Sequence, residues 1–493
     1  MISGMSSELA LLVSRVLARG YQIEPDAFSF LSELPVDLDI ESFLATVIEN
    51  KSSEADRTIR KSDLADVLPR EHGEASASEG DVIPDVVVVA DPTNEIAPME
   101  AEEGFKRLFQ DRYSHLLAIV RRRPDSKNIV PIQSVKQSNE KSRKVAGLLS
   151  SRNSRKGGAE IVLDDPTGSL KVSCNEDVAG VAMAVPLDSM VIVDVSGGKG
   201  GQLYANNFVL PDVPSRKPVG SLHRSYAVLL SDLHIGSKMF LEEDFRRLLS
   251  WLKGELGDAD IVRRIRYVIV AGDIVDGIGV YPGQEDQLVE RNLRRQYALA
   301  GELLKEIPKS MKVLVSPGNH DAVRQALPQP VIPIEIARSL YEIENVVNIG
   351  DPAYVKLGGV TFLVYHGRSL DDIIATVPEL TYDRPVDAMR VLLRSRHLAP
   401  IYGKRTQLSP EARDMLVIDG VPDVFHAGHV HTVDVGEYRG TVMVNSGTFQ
   451  AKTPFQANVG IDPIPSIVPI VNLSTLAVGK RSFGRQSFSS EQG

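Results

Sequence analysis

Short apolar runs ending in Gly, Asp or His recur through the second half of the chain, at 227–230, 267–270, 312–315, 361–365 and 423–425. Runs of this length bounded by turn residues read as buried strands, and the amphipathic stretches between them read as helices. From about residue 225 the pattern therefore predicts an α/β domain with polar side chains in the loops at its strand ends. Between about 105 and 214 the β-type runs are shorter, at 115–120, 159–163, 170–173 and 190–195, and Gly, Pro, Asp and Lys separate them, which predicts a small β-barrel. Near the start, Leu9, Leu12, Val13, Val16 and Leu17 recur at helical spacing, and 28–31 and 43–48 suggest further helices, so 1–70 reads as a helical module. Residues 71–103 are acidic and rich in Ala, Ser, Glu and Pro apart from the run 86–90, and are expected to form a flexible linker. A Ser-, Arg- and Gln-rich tail over 479–493 is expected to be mobile.

Composition narrows this picture without changing it. Among 493 residues, 43% are hydrophobic and 24% charged, ordinary globular usage that excludes wholesale disorder, collagen and coiled coil. No run approaches the length a membrane helix needs, so a cytoplasmic protein is expected. Cys174 is the single cysteine, so any metal must be held by His, Asp, Asn or Glu. The net charge of -10 argues against a uniformly basic nucleic-acid binder, yet the barrel segment gathers Arg121, Arg122, Arg123, Lys141, Arg143, Lys144, Arg152, Arg155 and Lys156. These could follow a phosphate backbone on an oligonucleotide-binding (OB-fold) barrel over 104–217, or simply be solvated loops.

The candidate chemistry sits at the ends of the five runs of the α/β domain, over 218–478. SDLHIGS brings Asp232 and His234, AGDIVDG brings Asp273 and Asp276, and SPGNHDA brings Asn319 and His320. The fourth run ends at His366, and HAGHVH closes the series with His429 and His431. Singly, each is more often a hydrogen-bonded or capping residue. Together they form a set of hard and borderline donors suited to two divalent cations. His426, His72, His115, His223 and His397 receive no chemical role.

In order and spacing, these motifs resemble the calcineurin-like phosphoesterase superfamily, with its D-x-H, G-D-x-x-D, G-N-H-D, H-G and G-H-x-H elements. The resemblance implies an αββα sandwich. It also implies that Asp232, His234, Asp273 and His431 hold one metal, and Asp273, Asn319, His366 and His429 the other. His320 would be the general acid and Asp276 would orient it. The stretches DGIGVYPGQED, PGNHDAVRQALPQP, YHGRSLDDII, RHLAPIYGKRT and NSGTFQAKTPFQ are similar to the small subunits of archaeal family-D DNA polymerases, from about residue 219 to 473. That similarity implies a 3′-to-5′ proofreading exonuclease using Mn2+ or Mg2+, DNA as ligand, a large polymerase subunit as partner and a place at the nucleoid. A catalytically silent polymerase scaffold and a free-standing phosphatase or phosphodiesterase are the alternatives.

Overall fold

The computed structural model describes residues 21–24, 27, 47, 58–60, 63–64, 85–97, 99–136, 142–198, 202–459 and 462–484. Its largest part is a sandwich of two six-stranded sheets. The first runs in the order Val346–Asn348, Lys312–Ser316, Ile265–Ala271, Tyr226–Leu230, Ile467–Asn472 and Val478–Ser482. Its first four strands are parallel and its last two antiparallel. The second runs Asp434–Tyr438, Thr441–Asn445, Val424–Ala427, Val360–Val364, Ala353–Leu357 and Val86–Ala90.

Alternation along each strand explains the layering, because successive side chains point to opposite faces. Ala227, Leu229, Tyr267, Ile269, Ala271 and Leu314 pack against Val355, Leu357, Phe362, Val364 and Val444 of the other sheet, forming the central core. Their neighbours Val228, Leu230, Val268, Val270, Val313 and Val315 face outward onto the helices Glu242–Leu252, Leu293–Leu304 and Ile334–Tyr341. On the far side, Leu363, Tyr365 and Phe425 pack against Leu370–Thr376 and Pro385–Ser395. Both faces of each central strand are therefore buried, as expected for the apolar runs, and the fold is the αββα sandwich.

Strands Ser142–Arg155, Gly158–Asp165, Gly168–Asn175, Leu203–Val209 and Met190–Gly197 close a five-stranded barrel, with the helix Glu176–Met183 between its third and fourth strands in sequence. Asn175 starts that helix by accepting the Val178 N–H at 3.1 Å. This is the OB-fold barrel.

The structure corrects three expectations. Residues 115–120 are not a strand but the end of a long helix, Ala101–Arg121, which buries Leu108, Arg112, Leu116, Ile119 and Val120 on one face. A charged residue in the middle of that stripe hides its helical period. Within the expected linker, Val86–Ala90 pairs antiparallel with Ala353–Leu357 and a helix begins at Ala101. A lone apolar run becomes a strand here because a remote partner completes its ladder. At the other end, residues 479–482 belong to the strand Val478–Ser482, and buried Phe483 packs against Trp251. Residues 485–493 of the tail lie outside the described residues, as does nearly all of the expected helical module. There, Gln22–Ile23 pairs in parallel with Thr58–Ile59.

Arg112 ties the long helix to the sandwich. Its Nε donates to Asp414 Oδ2 at 2.6 Å and its Nη1 to the Pro400 carbonyl at 2.7 Å, while His397 Nε2 lies 2.9 Å from the same Asp414 oxygen. Burial would push the Asp414 carboxyl up, but His397 and Arg112 hold it well below the usual range. Breaking a buried pair from one side leaves a charge uncompensated. Arg112→Ala is expected to lower stability by roughly 3 to 5 kcal/mol in a urea melt. A loss below about 1 kcal/mol, the range of exposed pairs, would remove this tie from the account.

Candidate metal centre

The carboxyl ends of parallel strands from both sheets meet at one cleft. Tyr226–Leu230 delivers Asp232 and His234, Ile265–Ala271 delivers Asp273 and Asp276, and Lys312–Ser316 delivers Asn319 and His320. From the second sheet, Val360–Val364 delivers His366, and Val424–Ala427 delivers His429 and His431. Five of these residues have left-handed backbone, with φ of 53° at Asp232, 52° at His234, 53° at Asp273, 72° at His429 and 59° at His431. Such conformations cost on the order of 1 to 3 kcal/mol each and persist only where surroundings enforce them. Here the Asp232 N–H bonds the Gly272 carbonyl at 2.9 Å and the His234 N–H bonds the Asp273 carbonyl at 3.0 Å. Glycine is required beside them, since a Cβ on Gly272 would strike the His366 ring and one on Gly318 would strike Asp273.

The side chains converge around Asp273. On one side, His234 and His431 face each other Nε2 to Nε2 at 3.1 Å, and Asp232 Oδ1 lies 3.3 Å from His431 Nε2. Asp273 Oδ2 lies 3.8 Å from His234 Nε2 and 3.3 Å from His366 Nε2. Beyond it, His366 Nε2 is 3.0 Å from Asn319 Oδ1, and His429 joins Asp273 and His366 in a set whose ligand-type atoms lie within 4.8 Å of one another. Asp232 is fully buried, and its Oδ1 has no hydrogen-bond partner among the described residues. With only the His431 ring at 3.3 Å beside it, a buried carboxylate oxygen is costly unless it meets positive charge, imidazolium or metal. The donor set therefore fits divalent metal.

The outward nitrogen of each histidine is engaged. His234 Nδ1 meets Asp276 Oδ1 at 3.0 Å, His366 Nδ1 the Ala271 carbonyl at 2.9 Å, His431 Nδ1 the Gln456 amide at 2.8 Å, and His429 Nε2 Asp371 Oδ2 at 3.2 Å. At His234, His366 and His429 the partner is an acceptor, the usual support for a ligating imidazole, whereas the Gln456 amide donates to His431 Nδ1.

Charge follows the same geometry. Burial alone would raise the Asp232 carboxyl, but the charge of His431 brings it down to about 2. Asp273 is likewise held well below its ordinary range, against burial, by His366, His320 and His234. At His366 burial opposes the proton, yet Asp273 and Asp232 raise the imidazole to about 10. The two carboxylates draw positive charge to the cluster.

One expected role changes. The Asp276 carboxylate does not touch His320; it meets His234, Gln450 Nε2 at 3.0 Å and Gln284 Nε2 at 3.1 Å. The main-chain carbonyl of Asp276 instead accepts His320 Nδ1–H at 2.7 Å. The Asp276 N–H bonds the Ile235 carbonyl at 3.0 Å, which sets that side chain under His234.

Three further carboxylates, which the sequence reading missed, brace the site. Asp321 accepts from Gly318 N, Ile274 N and Tyr297 Oη at 2.9, 3.2 and 2.9 Å, welding two site loops together. Asp351 accepts the His366 N–H at 2.8 Å, and burial pushes both carboxyls up to about 7. Asp371, in the first turn after the H-G motif, supports His429 and accepts from Tyr382 Oη at 3.0 Å. Asp321 and Asp371 lie within the motif stretches and Asp351 lies in none, and the partners of all three include groups on other loops.

The basic residues of the barrel segment divide. Arg123 donates to the Leu210 carbonyl at 2.6 Å and pairs with Asp125. Arg152 bonds the carbonyls of Met183 and Val185, and that of Thr376 at 2.5 Å. Both are struts rather than open phosphate contacts, because their guanidinium donors already have main-chain acceptors. Lys144 donates to the Asp125 carbonyl at 2.6 Å, and Arg155 pairs with Glu160 at 2.6 Å. Arg121, Arg122 and Lys156 are exposed, Arg143 is half-buried, and Lys141 lies outside the described residues.

Residues 227–433 match the family of B subunits of DNA polymerases alpha and epsilon. The DNA polymerase II small subunit of Archaeoglobus fulgidus is 40% identical, over 97% of this chain and 99% of its own length. That of Methanothermobacter thermautotrophicus is 35% identical, over 94% and 97%. That of Pyrococcus furiosus is 41% identical over 77% of this chain but only 63% of its own length, so this chain spans less than two thirds of that relative. With such identity across nearly the full length of two relatives, the chain belongs to the family of archaeal DNA polymerase II small subunits.

Proposed function

We propose that this chain is a metal-dependent 3′-to-5′ exodeoxyribonuclease that removes mispaired ends for a separate, larger polymerase subunit. Asp273 carries the reading: a single buried carboxylate oxygen stands between His234 on one side and His366 on the other. Asp232, His234, Asp273 and His431 would hold one divalent cation, and Asp273, Asn319, His366 and His429 a second, with Mn2+ or Mg2+ suited to these donors. When bound, the cations supply Lewis acidity at the phosphoryl oxygens and water that ionises near neutral pH.

The protein's own groups do the rest. With Nδ1 fixed by the Asp276 carbonyl, His320 presents Nε2 as the atom that can hand a proton to the leaving 3′ oxygen. The Asp276 carboxylate acts on His234, keeping the Nδ1 proton on that ring and Nε2 turned to the centre. The barrel supplies a surface along which a single strand can be held.

The direct test supplies manganese and an end-labelled single-stranded oligonucleotide to the full chain, with and without its co-purifying large subunit. Stepwise shortening from the 3′ end is expected; full metal binding without cleavage in either form would leave a scaffold.

Asp273→Ala is expected to remove cleavage and lower metal content while the circular dichroism spectrum is retained. Full metal occupancy with normal cleavage would end the shared-ligand assignment. His320→Ala is expected to keep its metal but slow oligonucleotide cleavage roughly 10² to 10⁴-fold. A nitrophenyl phosphodiester, whose leaving group needs little protonation, should recover most of that loss. Equal slowing on both substrates, or loss of metal, would make His320 a ligand instead.

Metal binding should also carry a proton signature. The folded His366 value of about 10 lies above the unfolded value of about 6.5. Its stabilisation of the metal-free chain is thus complete below that lower value and fades as pH rises toward the upper one. A cation held by His366 would take the place of that proton. Manganese titration calorimetry near neutral pH, in buffers of different ionisation enthalpy, should show release of about one proton per chain. Tight binding with no proton release would take His366 out of the donor set.

A further inference from the structure

The loop from 400 to 406 joins the barrel, the long helix and the metal cleft. At its start the Pro400 carbonyl accepts from Arg112 at 2.7 Å, and the Tyr402 N–H donates to Asp188 of the barrel at 2.9 Å. The Tyr402 ring packs against Phe105 and Phe109, with centroids 5.1 and 5.2 Å away. At its end the N–H groups of Arg405 and Thr406 donate to the two oxygens of Asp372, at 3.0 and 2.8 Å. Asp372 sits in the first turn of Leu370–Thr376, beside Asp371, and the last residue of that helix is gripped by barrel Arg152. The main chain at Arg405 is thereby fixed from both domains.

Its side chain is the exception. Arg405 is exposed and lines the cleft, about 440 Å³ in volume, together with Asp371, Tyr382, His429 and Arg368. Its guanidinium makes no hydrogen bond or ion pair among the described residues. Asp371, the nearby acid, already meets His429 and Tyr382. Arg368, the other cleft arginine, is half-buried and bonds the Gln325 carbonyl. The floor of the cleft carries Asp273 and Asp276, so a polyanion approaching it needs a cation at the rim. A planar guanidinium fork held by a fixed main chain matches a phosphodiester.

We infer that Arg405 is the contact for a backbone phosphate of the nucleic-acid strand next to the one being cleaved, and so favours a polynucleotide over a small phosphodiester. The inference rests on the nuclease reading above. Its role is binding: it holds the strand in register while the metal cluster and His320 act on the neighbouring phosphate.

The test uses the full chain, with its large subunit where the two co-purify. Binding of a single-stranded oligonucleotide with a phosphorothioate-protected 3′ end is followed by fluorescence anisotropy across a salt series, and manganese-dependent cleavage of the unprotected strand is measured in parallel. For Arg405→Ala, the slope of log affinity against log salt should fall in magnitude by about 0.7, the share of one phosphate contact on a single strand. KM for the oligonucleotide should rise severalfold with kcat nearly kept. Arg405→Lys should keep the slope, since charge is retained, while losing part of the affinity. Lys309→Ala, which removes a charge paired with Glu344 away from the cleft lining, should change neither slope nor KM. An Arg405→Ala slope and KM equal to wild type would overturn the inference, as would a fall in kcat with KM unchanged. If the wild-type chain binds the strand but never shortens it, the nuclease reading fails. The slope comparison then still decides whether Arg405 holds a phosphate.

Discussion

Two carboxylates, Asp232 and Asp273, are buried where the carboxyl ends of strands from both sheets converge, and the rest of the site is arranged around their charge. In the interior such a pair is tolerable only beside positive charge, whether imidazolium or metal. That requirement explains why histidines from four loops crowd the same small volume. It also explains why the loops accept left-handed backbone at five positions: an extended main chain there would turn the ligand-type atoms out of the cluster.

Around this centre lies a second ring of groups that hold rather than react. Asp276, Asp371, Gln456 and the Ala271 carbonyl each occupy the nitrogen of a histidine that points away from the centre. Asp321 and Asp351 bond main-chain N–H groups of the loops themselves. The sandwich is thus preorganised by hydrogen bonds that need no metal, and a cation entering it finds His234, His366 and His429 with their tautomers already set.

Much of this was legible in the sequence because the strands that carry the site are buried on both faces. Each reads as an apolar run that stops where Gly, Asp or His begins, so the positions of Asp232, Asp273, Asn319, His366 and His431 followed from the end of a run. What was not legible depends on remote partners. Val86–Ala90 is a strand only because Ala353–Leu357 lies beside it, and Arg123 and Arg152 are struts only because carbonyls from distant elements meet them. The helix Ala101–Arg121 was obscured because its buried stripe includes Arg112, whose partner Asp414 no local window contains. The exchange between the carboxylate and carbonyl of Asp276 turns on backbone direction, which residue type does not encode.

The strand Val86–Ala90 also ties the order of synthesis to the order of assembly. It leaves the ribosome before any of the barrel, whereas Ala353–Leu357, the strand it pairs with, is made only after the barrel and half of the sandwich. Through that interval a run of four valines has no ladder to join, and even in the finished protein Val87, Val88 and Val89 remain 46, 41 and 56% exposed. Unpaired β-branched runs are the segments most prone to pairing between chains. Pairing the two strands closes a loop of chain that contains the whole barrel. One edge of the sandwich is supplied by a piece of polypeptide that precedes it on the messenger by the length of another domain, and cutting the gene at the domain boundary would leave that piece behind.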